Sequence, residues 1–129
     1  TARLIDFEQP VALLMVAVFH FVSPRDNPQA LIGSYHGRLA SGSYVALSHT
    51  AVEEASPLAR DQILALEREY GDTSNPLYVR SRAEFTALLD GLDIIEPGVT
   101  FANDWRATQP VDPHEPGRPC LYAAVGMKP

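Results

Sequence analysis

From Val11 to Val22 the chain reads VALLMVAVFHFV, apolar throughout except His20, with no polar alternation. Such a run suits a strand buried on both faces of a parallel sheet. A buried helix is the competing assignment. The β-branched Val11, Val16, Val18 and Val22, with Pro10 before and Pro24 after, favour the strand.

Beyond it the pattern alternates between helical and extended segments. Asn27-Pro28 is a helix start, with Asn as N-cap and Pro at the first helical position. Leu31, Ile32, Tyr35 and Leu39 recur at helical spacing, and Gly42 is the expected stop. Ser43 to Thr50 (SYVALSHT) reads as a second strand, mostly apolar on both faces. Ser56-Pro57 opens a second helix that carries Ala59, Ile63, Leu66 and Tyr70 on one stripe and closes at Gly71. Residues 72–79 read as a loop. Ser81-Arg82-Ala83-Glu84 forms a capping box ahead of Phe85, Leu88 and Leu89, with Gly91 as its stop. Leu92 to Phe101 is a third strand, interrupted near Pro97-Gly98. Residues 106–119 hold four prolines and read as an irregular loop. Leu121 to Met127 (LYAAVGM) is a last apolar strand.

The predicted order is β-α-β-α-α-β-β, an α/β fold. Strands alternating with helices imply parallel βαβ units. No helix separates the final two strands, so they are expected to pair antiparallel at the sheet edge.

Composition narrows the function classes. The chain has 129 residues, enough for one domain, and is 46% hydrophobic and 20% charged. Its net charge of −6 gives no electrostatic footprint for a phosphate backbone, so nucleic acid is not an expected partner. Cys120 is the sole cysteine, with no zinc-like Cys/His spacing, so neither an internal disulfide nor a metal is expected, and a cytoplasmic setting is the default. No apolar run is long enough to span a bilayer. Thr1 to Asp6 does not read as a signal peptide, and the missing initiator Met suits a processed chain or a fragment.

The order of elements resembles the carboxyl-terminal half of the class I S-adenosylmethionine-dependent methyltransferase fold, a Rossmann-like sheet whose last strand is inserted antiparallel. VALLMVAVFHFV is similar to its fourth strand. Leu39 to Leu47 is similar to its L-x-P-G-G-x-L-x-L segment, with Ser41 and Ser43 in place of the proline and the second glycine. More closely, the chain resembles the S-adenosyl methyltransferase family first defined as a domain of unknown function. The similarity lies in Asp6, Phe7 and Pro10 to Leu14, in the HFV of His20 to Val22, and in Gly42 to His49. It continues in Arg80 to Glu84 and in Tyr122 to Pro129. The motifs cover nearly the whole chain in matching order. The resemblance implies S-adenosylmethionine as cofactor and methyl transfer to an unidentified small-molecule acceptor.

One departure is large. The glycine-rich turn and the acidic ribose-holding residue of the family's amino-terminal half have no counterpart here, and no Gly-x-Gly-x-Gly occurs. The segment is expected to bind cofactor poorly by itself, to be inactive alone, and to leave one side of the parent sheet uncovered.

Ligands of open α/β sheets sit beyond the carboxyl ends of the parallel strands. That rule and the resemblance place Ala17, Val18, Phe19 and His20 beside the cofactor. Methyl transfer needs an aligned acceptor and, where a proton must leave, a base. His20 and His49, both at strand ends, are the candidate catalytic residues. For His20 the alternative is a structural hydrogen bond at the strand end. His36 is expected on an exposed helix face, and His114 on the surface. Asp104, Trp105 and Arg106 are candidates for lining an acceptor pocket, with Trp105 alternatively a core or edge anchor. Cys120 is read as a small buried hydrophobe. Glu53-Glu54 and Glu67/Glu69 are read as solvated pairs. A second functional reading is non-enzymatic: an α/β protein-association module that forms a homo-oligomer through an exposed sheet edge.

Overall fold

The computed structural model describes residues 4–129, so the first three positions of the Thr1 to Asp6 stretch lie outside it. Five strands form one sheet: β1 (Ala12–Met15), β2 (Tyr44–Thr50), β3 (Asp93–Ile94), β4 (Thr100–Phe101) and β5 (Leu121–Met127). Among the described residues three α-helices accompany them: α1 (Pro28–His36), α2 (Pro57–Gly71) and α3 (Arg82–Ala87). The architecture is mixed α/β. Only the β1–β2 pair is parallel among the described residues, and β5 is antiparallel to β2, β3 and β4.

Local chemistry sets the helix starts. Asn27, Ser56 and Ser81 each accept a hydrogen bond from a first-turn backbone N–H, at Ala30, Ala59 and Glu84. Glu84 returns the favour to the N–H of Ser81, completing the capping box. The stops differ from expectation in two helices. α1 ends at His36, not Gly42, which instead takes a φ of 85° in the turn entering β2. α3 ends at Ala87, and Gly91, with a φ of 89°, follows a further turn.

The first strand is much shorter than the apolar run that encodes it. β1 stops at Met15, the chain turns at Ala17 (φ 55°), and Phe19–Phe21 form a 3₁₀ turn. Nor is the strand buried on both faces: Leu14, Val16 and Val18 are 69%, 60% and 51% exposed. The reason is positional. Among the described residues β1 is an edge strand that pairs only with β2. The expected third strand likewise splits into β3 and β4, separated by a turn in which Gly98 N–H donates to Ile95 O.

β5 is not at the edge. It lies between β2 on one side and β3 and β4 on the other. Its register sets the core: Val45, Leu47 and His49 face the same side as their partners Gly126, Ala124 and Tyr122. Met15, beside Leu47, joins them, and this face packs with Ile32 of α1 and Phe85 of α3. The opposite face carries Leu14, Tyr44, Ala46 and Val125, none of them fully buried. That face is contacted in part by the 3₁₀ turn at Ala102–Asp104 and by Trp105.

The carboxyl terminus closes the structure. Lys128 N–H donates to Ser43 O, Gly42 N–H donates to Lys128 O, and Lys128 Nζ donates to His36 O. The glycine-serine turn and the final Gly-x-Lys-Pro segment thus form one joint. No helix among the described residues is long and apolar enough to cross a membrane.

Candidate active site

Two serines of the β2 segment define where β1 begins and ends. Ser43 Oγ accepts from Val11 N–H at 2.9 Å, and Ser48 Oγ accepts from Ala17 N–H at 2.9 Å. The second bond anchors the left-handed turn at Ala17, an arrangement that costs an L-residue about 1–2 kcal/mol. The turn reverses the chain so that Phe19 and His20 fold inward while Val16 and Val18 stay out. Phe19 enters the core with its ring, and Ala17 and Val18 form the outer rim at the carboxyl end of β1.

His20 lies at this rim and keeps 8% of its surface exposed. Its Nδ1 is 3.0 Å from Thr50 Oγ1, at the carboxyl end of β2. Its Nε2 has no hydrogen-bond partner among the described residues. Burial, and secondarily the positive charge of Arg80, hold its pKa below the ordinary histidine value. A neutral imidazole with one nitrogen oriented and the other free is the form a general base requires.

His49 differs. It is fully buried, and both ring nitrogens are engaged. Thr50 O, 2.7 Å from Nδ1, can only accept, and Arg80 Nη1, 2.6 Å from Nε2, can only donate. The partners therefore impose the neutral Nδ1–H tautomer. Burial pushes its pKa down to about 4, with Arg80 and His20 adding to the fall against the opposing Thr50 bond. His20 and His49 meet edge to face with ring centroids 5.7 Å apart.

Arg80 joins these parts. Its Nη1 also donates to Phe19 O at 2.8 Å and its Nη2 to Val22 O at 2.6 Å. The sequence shows Arg80 only as a member of the Arg-Ser-Arg-x-Glu segment, and nothing in its neighbours reveals that it is buried.

Other candidates occupy varied settings. Asp104 is paired with Arg118 through both oxygens, at 2.9 and 2.6 Å. Trp105 is half-buried beneath the Arg106 guanidinium, and its indole Nε1–H is buried without a partner. A pocket of about 240 Å³ has Trp105, Val16, Ser48, Ala123 and Val125 among its lining. Arg106 itself donates to Glu96 O. His36 is half-buried rather than solvated, with Nδ1 buried and unpartnered, and a Cβ at Gly91 would come within 3.4 Å of its ring. His114 is exposed. Cys120 is only half-buried. Glu54 is not a free surface acid: it pairs with Arg82 at 2.7 Å and accepts from Tyr122 Oη, while Glu53 accepts from Arg82 N–H. Glu67 accepts from Val79 N–H.

The family model for S-adenosyl methyltransferases matches residues 1–129. The chain belongs to the S-adenosyl methyltransferase family. Among solved structures, the chain is similar to a DUF574 family protein from Streptomyces avermitilis, with 29% identity and a TM-score of 0.84. That match covers 97% of this chain and 47% of the other. A candidate methyltransferase from Thermobifida fusca is 32% identical with a TM-score of 0.81, covering 98% of this chain and 46% of that one. A SAM-dependent methyltransferase from Methanosarcina mazei shares the fold at 16% identity and a TM-score of 0.61, over 95% of this chain and 60% of that one. No curated protein matches. The chain spans about half the length of the first two of these structures.

The rim suits part of the family's cofactor. Exposed Val16 and Val18 offer apolar surface against which an adenine or thioether can lie. Around them the hydrogen-bonding groups of Ser48 and Thr50 are turned to Ala17 and His20. This apolar surface is chemically compatible with those parts of the cofactor. The chain has no glycine-rich turn to hold the remainder.

Proposed function

We propose that this chain forms the acceptor-side wall of an S-adenosylmethionine-dependent methyltransferase, with His20 as the general base and a small molecule as methyl acceptor. Bound S-adenosylmethionine supplies an electrophilic methyl group. Val16, Ala17 and Val18, at the end of β1, would hold the cofactor's apolar parts, with the Phe19 carbonyl fixed beside them by Arg80. His20 Nε2 takes the proton that leaves the acceptor's nucleophilic atom, while Thr50 Oγ1 accepts from Nδ1–H. His49 supports this geometry from inside. We place the protein in the cytoplasm.

The observation that carries the reading is the His20 ring, oriented by Thr50 and with Nε2 without a hydrogen-bond partner among the described residues, at the carboxyl end of a parallel strand pair. The exposed Leu14, Val16 and Val18 favour a second polypeptide segment over β1 in the active protein. The same exposed edge supports the other reading, a homo-oligomeric association module without catalysis.

Calorimetry with S-adenosylmethionine and S-adenosylhomocysteine, run on the natural polypeptide that carries these residues, separates the two. Binding is expected there, and much weaker binding by residues 1–129 alone. No binding by the natural polypeptide, together with a stable oligomer of the 129-residue chain in light scattering, would sink the enzymatic reading.

A further inference from the structure

Arg80 is a buried cation without a direct ion pair, with the Glu84 carboxylate acting on it only from a distance. It is 5% exposed, and no carboxylate lies within ion-pair distance among the described residues. Burying an unpaired charge is costly unless hydrogen bonds replace its lost hydration. Here three acceptors do so: Phe19 O, Val22 O and the lone pair of His49 Nε2. A planar guanidinium with forked donors can reach all three, and a lysine ammonium on a single stem cannot.

The three acceptors are not scattered. Phe19 O and Val22 O lie on the two sides of His20, at the first residue and just past the last residue of the 3₁₀ turn. The segment leading into Arg80 adds a third grip on that turn, because Tyr78 N–H donates to His20 O at 2.7 Å. His49 Nδ1 in turn donates to the carbonyl of Thr50, the residue whose hydroxyl meets His20. Arg80 and Tyr78 thus hold the turn on both sides of His20, and Arg80 holds the His49 ring that bonds Thr50, beside the Ser48–Ala17 bond that anchors the turn's start.

We propose that Arg80 is the positioning residue for His20, fixing the turn by two carbonyls and the Thr50 side by locking His49 in its Nδ1–H tautomer. This rests on the reading of His20 as base. Arg80 does not touch substrate. It sets where Nε2 points through the backbone and side-chain bonds it makes around the ring.

The test uses Arg80→Lys and Arg80→Met in the natural polypeptide, read by ¹⁵N NMR of the histidine rings and by steady-state kinetics. Both variants are expected to shift the His20 ring resonances, to release His49 from a single tautomer, and to lower kcat at least tenfold with KM for the cofactor changed less than threefold. Unshifted His20 resonances in a folded Arg80 variant would overturn the proposal. Should the variants not fold, the wild-type protein decides: a His49 ring in the Nε2–H tautomer overturns it, and a neutral Nδ1–H ring at pH 6 supports it. If His20→Gln left the rate unchanged, the base assignment would fail, while the NMR readout would still report whether Arg80 orients the ring.

Discussion

Ser48 Oγ accepts a hydrogen bond from the backbone N–H of Ala17 at 2.9 Å, and this bond decides where β1 ends. The apolar run continues past this point, so hydrophobicity alone gives no reason to stop. A strand hydroxyl that catches the next free amide does. Ser48→Ala leaves that part-buried N–H without a partner, and we expect a loss of about 1–3 kcal/mol in stability. Denaturant midpoints measure the loss, and amide exchange at Ala17 should quicken in the variant. Equal exchange in both proteins would show that the bond does not hold the turn.

Gly126 is the position in β5 where a side chain cannot stand. A Cβ there would lie 2.8 Å from Leu92 Cβ and 3.0 Å from its Cδ1. Gly126→Ala should cost about 1–3 kcal/mol by overpacking. Adding Leu92→Gly removes the Cβ that stands 2.8 Å away, so the double variant should show less than the sum of the two single losses. Strict additivity would mean that Leu92 is not the obstacle. The close approach also accounts for the glycine in the closing Val-Gly-Met-Lys-Pro segment.

The buried His49 makes stability depend on pH. Its folded pKa of about 4 is below the unfolded value of 6.5, so the unfolded chain binds the proton more tightly. The neutral ring's contribution is complete above pH 6.5 and falls as pH drops toward 4. The loss across that window is on the order of 3 kcal/mol. His20, whose pKa burial also lowers, acts in the same direction. Thermal unfolding between pH 4 and 7.5 should show the decline, and His49→Gln should flatten it at the cost of lower stability at neutral pH. A wild-type melting temperature that did not fall below pH 6 would contradict the burial of a neutral ring.

Much of the structure was legible along the chain because its causes are local. Asn27, Ser56 and Ser81 cap helices through bonds to residues three positions on, so these starts could be read without any tertiary information. β2 and β5 fell within one residue of their expected bounds for a similar reason: continuous apolar stretches bounded by Gly42 and Pro119. Stops were less legible. Gly42 and Gly91 do mark left-handed turns, but those turns belong to the following connections rather than to the helix ends.

Local pattern could place His20 at the end of an apolar run and mark it as a candidate base. Which nitrogen is free, which is held by Thr50, and why the ring stays neutral depend on residues 30 and 60 positions away in sequence, and so on packing alone. Arg80 is the clearest case. In sequence it is one arginine in a polar segment; in the fold it is buried against carbonyls of residues 19 and 22. The exposure of Val16 and Val18 is of the same kind, since an apolar residue is covered only where a neighbouring strand or helix exists to cover it. Sequence thus determined the elements, whose energetics are short-range. Tertiary structure decided the site, because the fields and hydrogen bonds that set a histidine's chemistry come from groups that only the fold brings within reach.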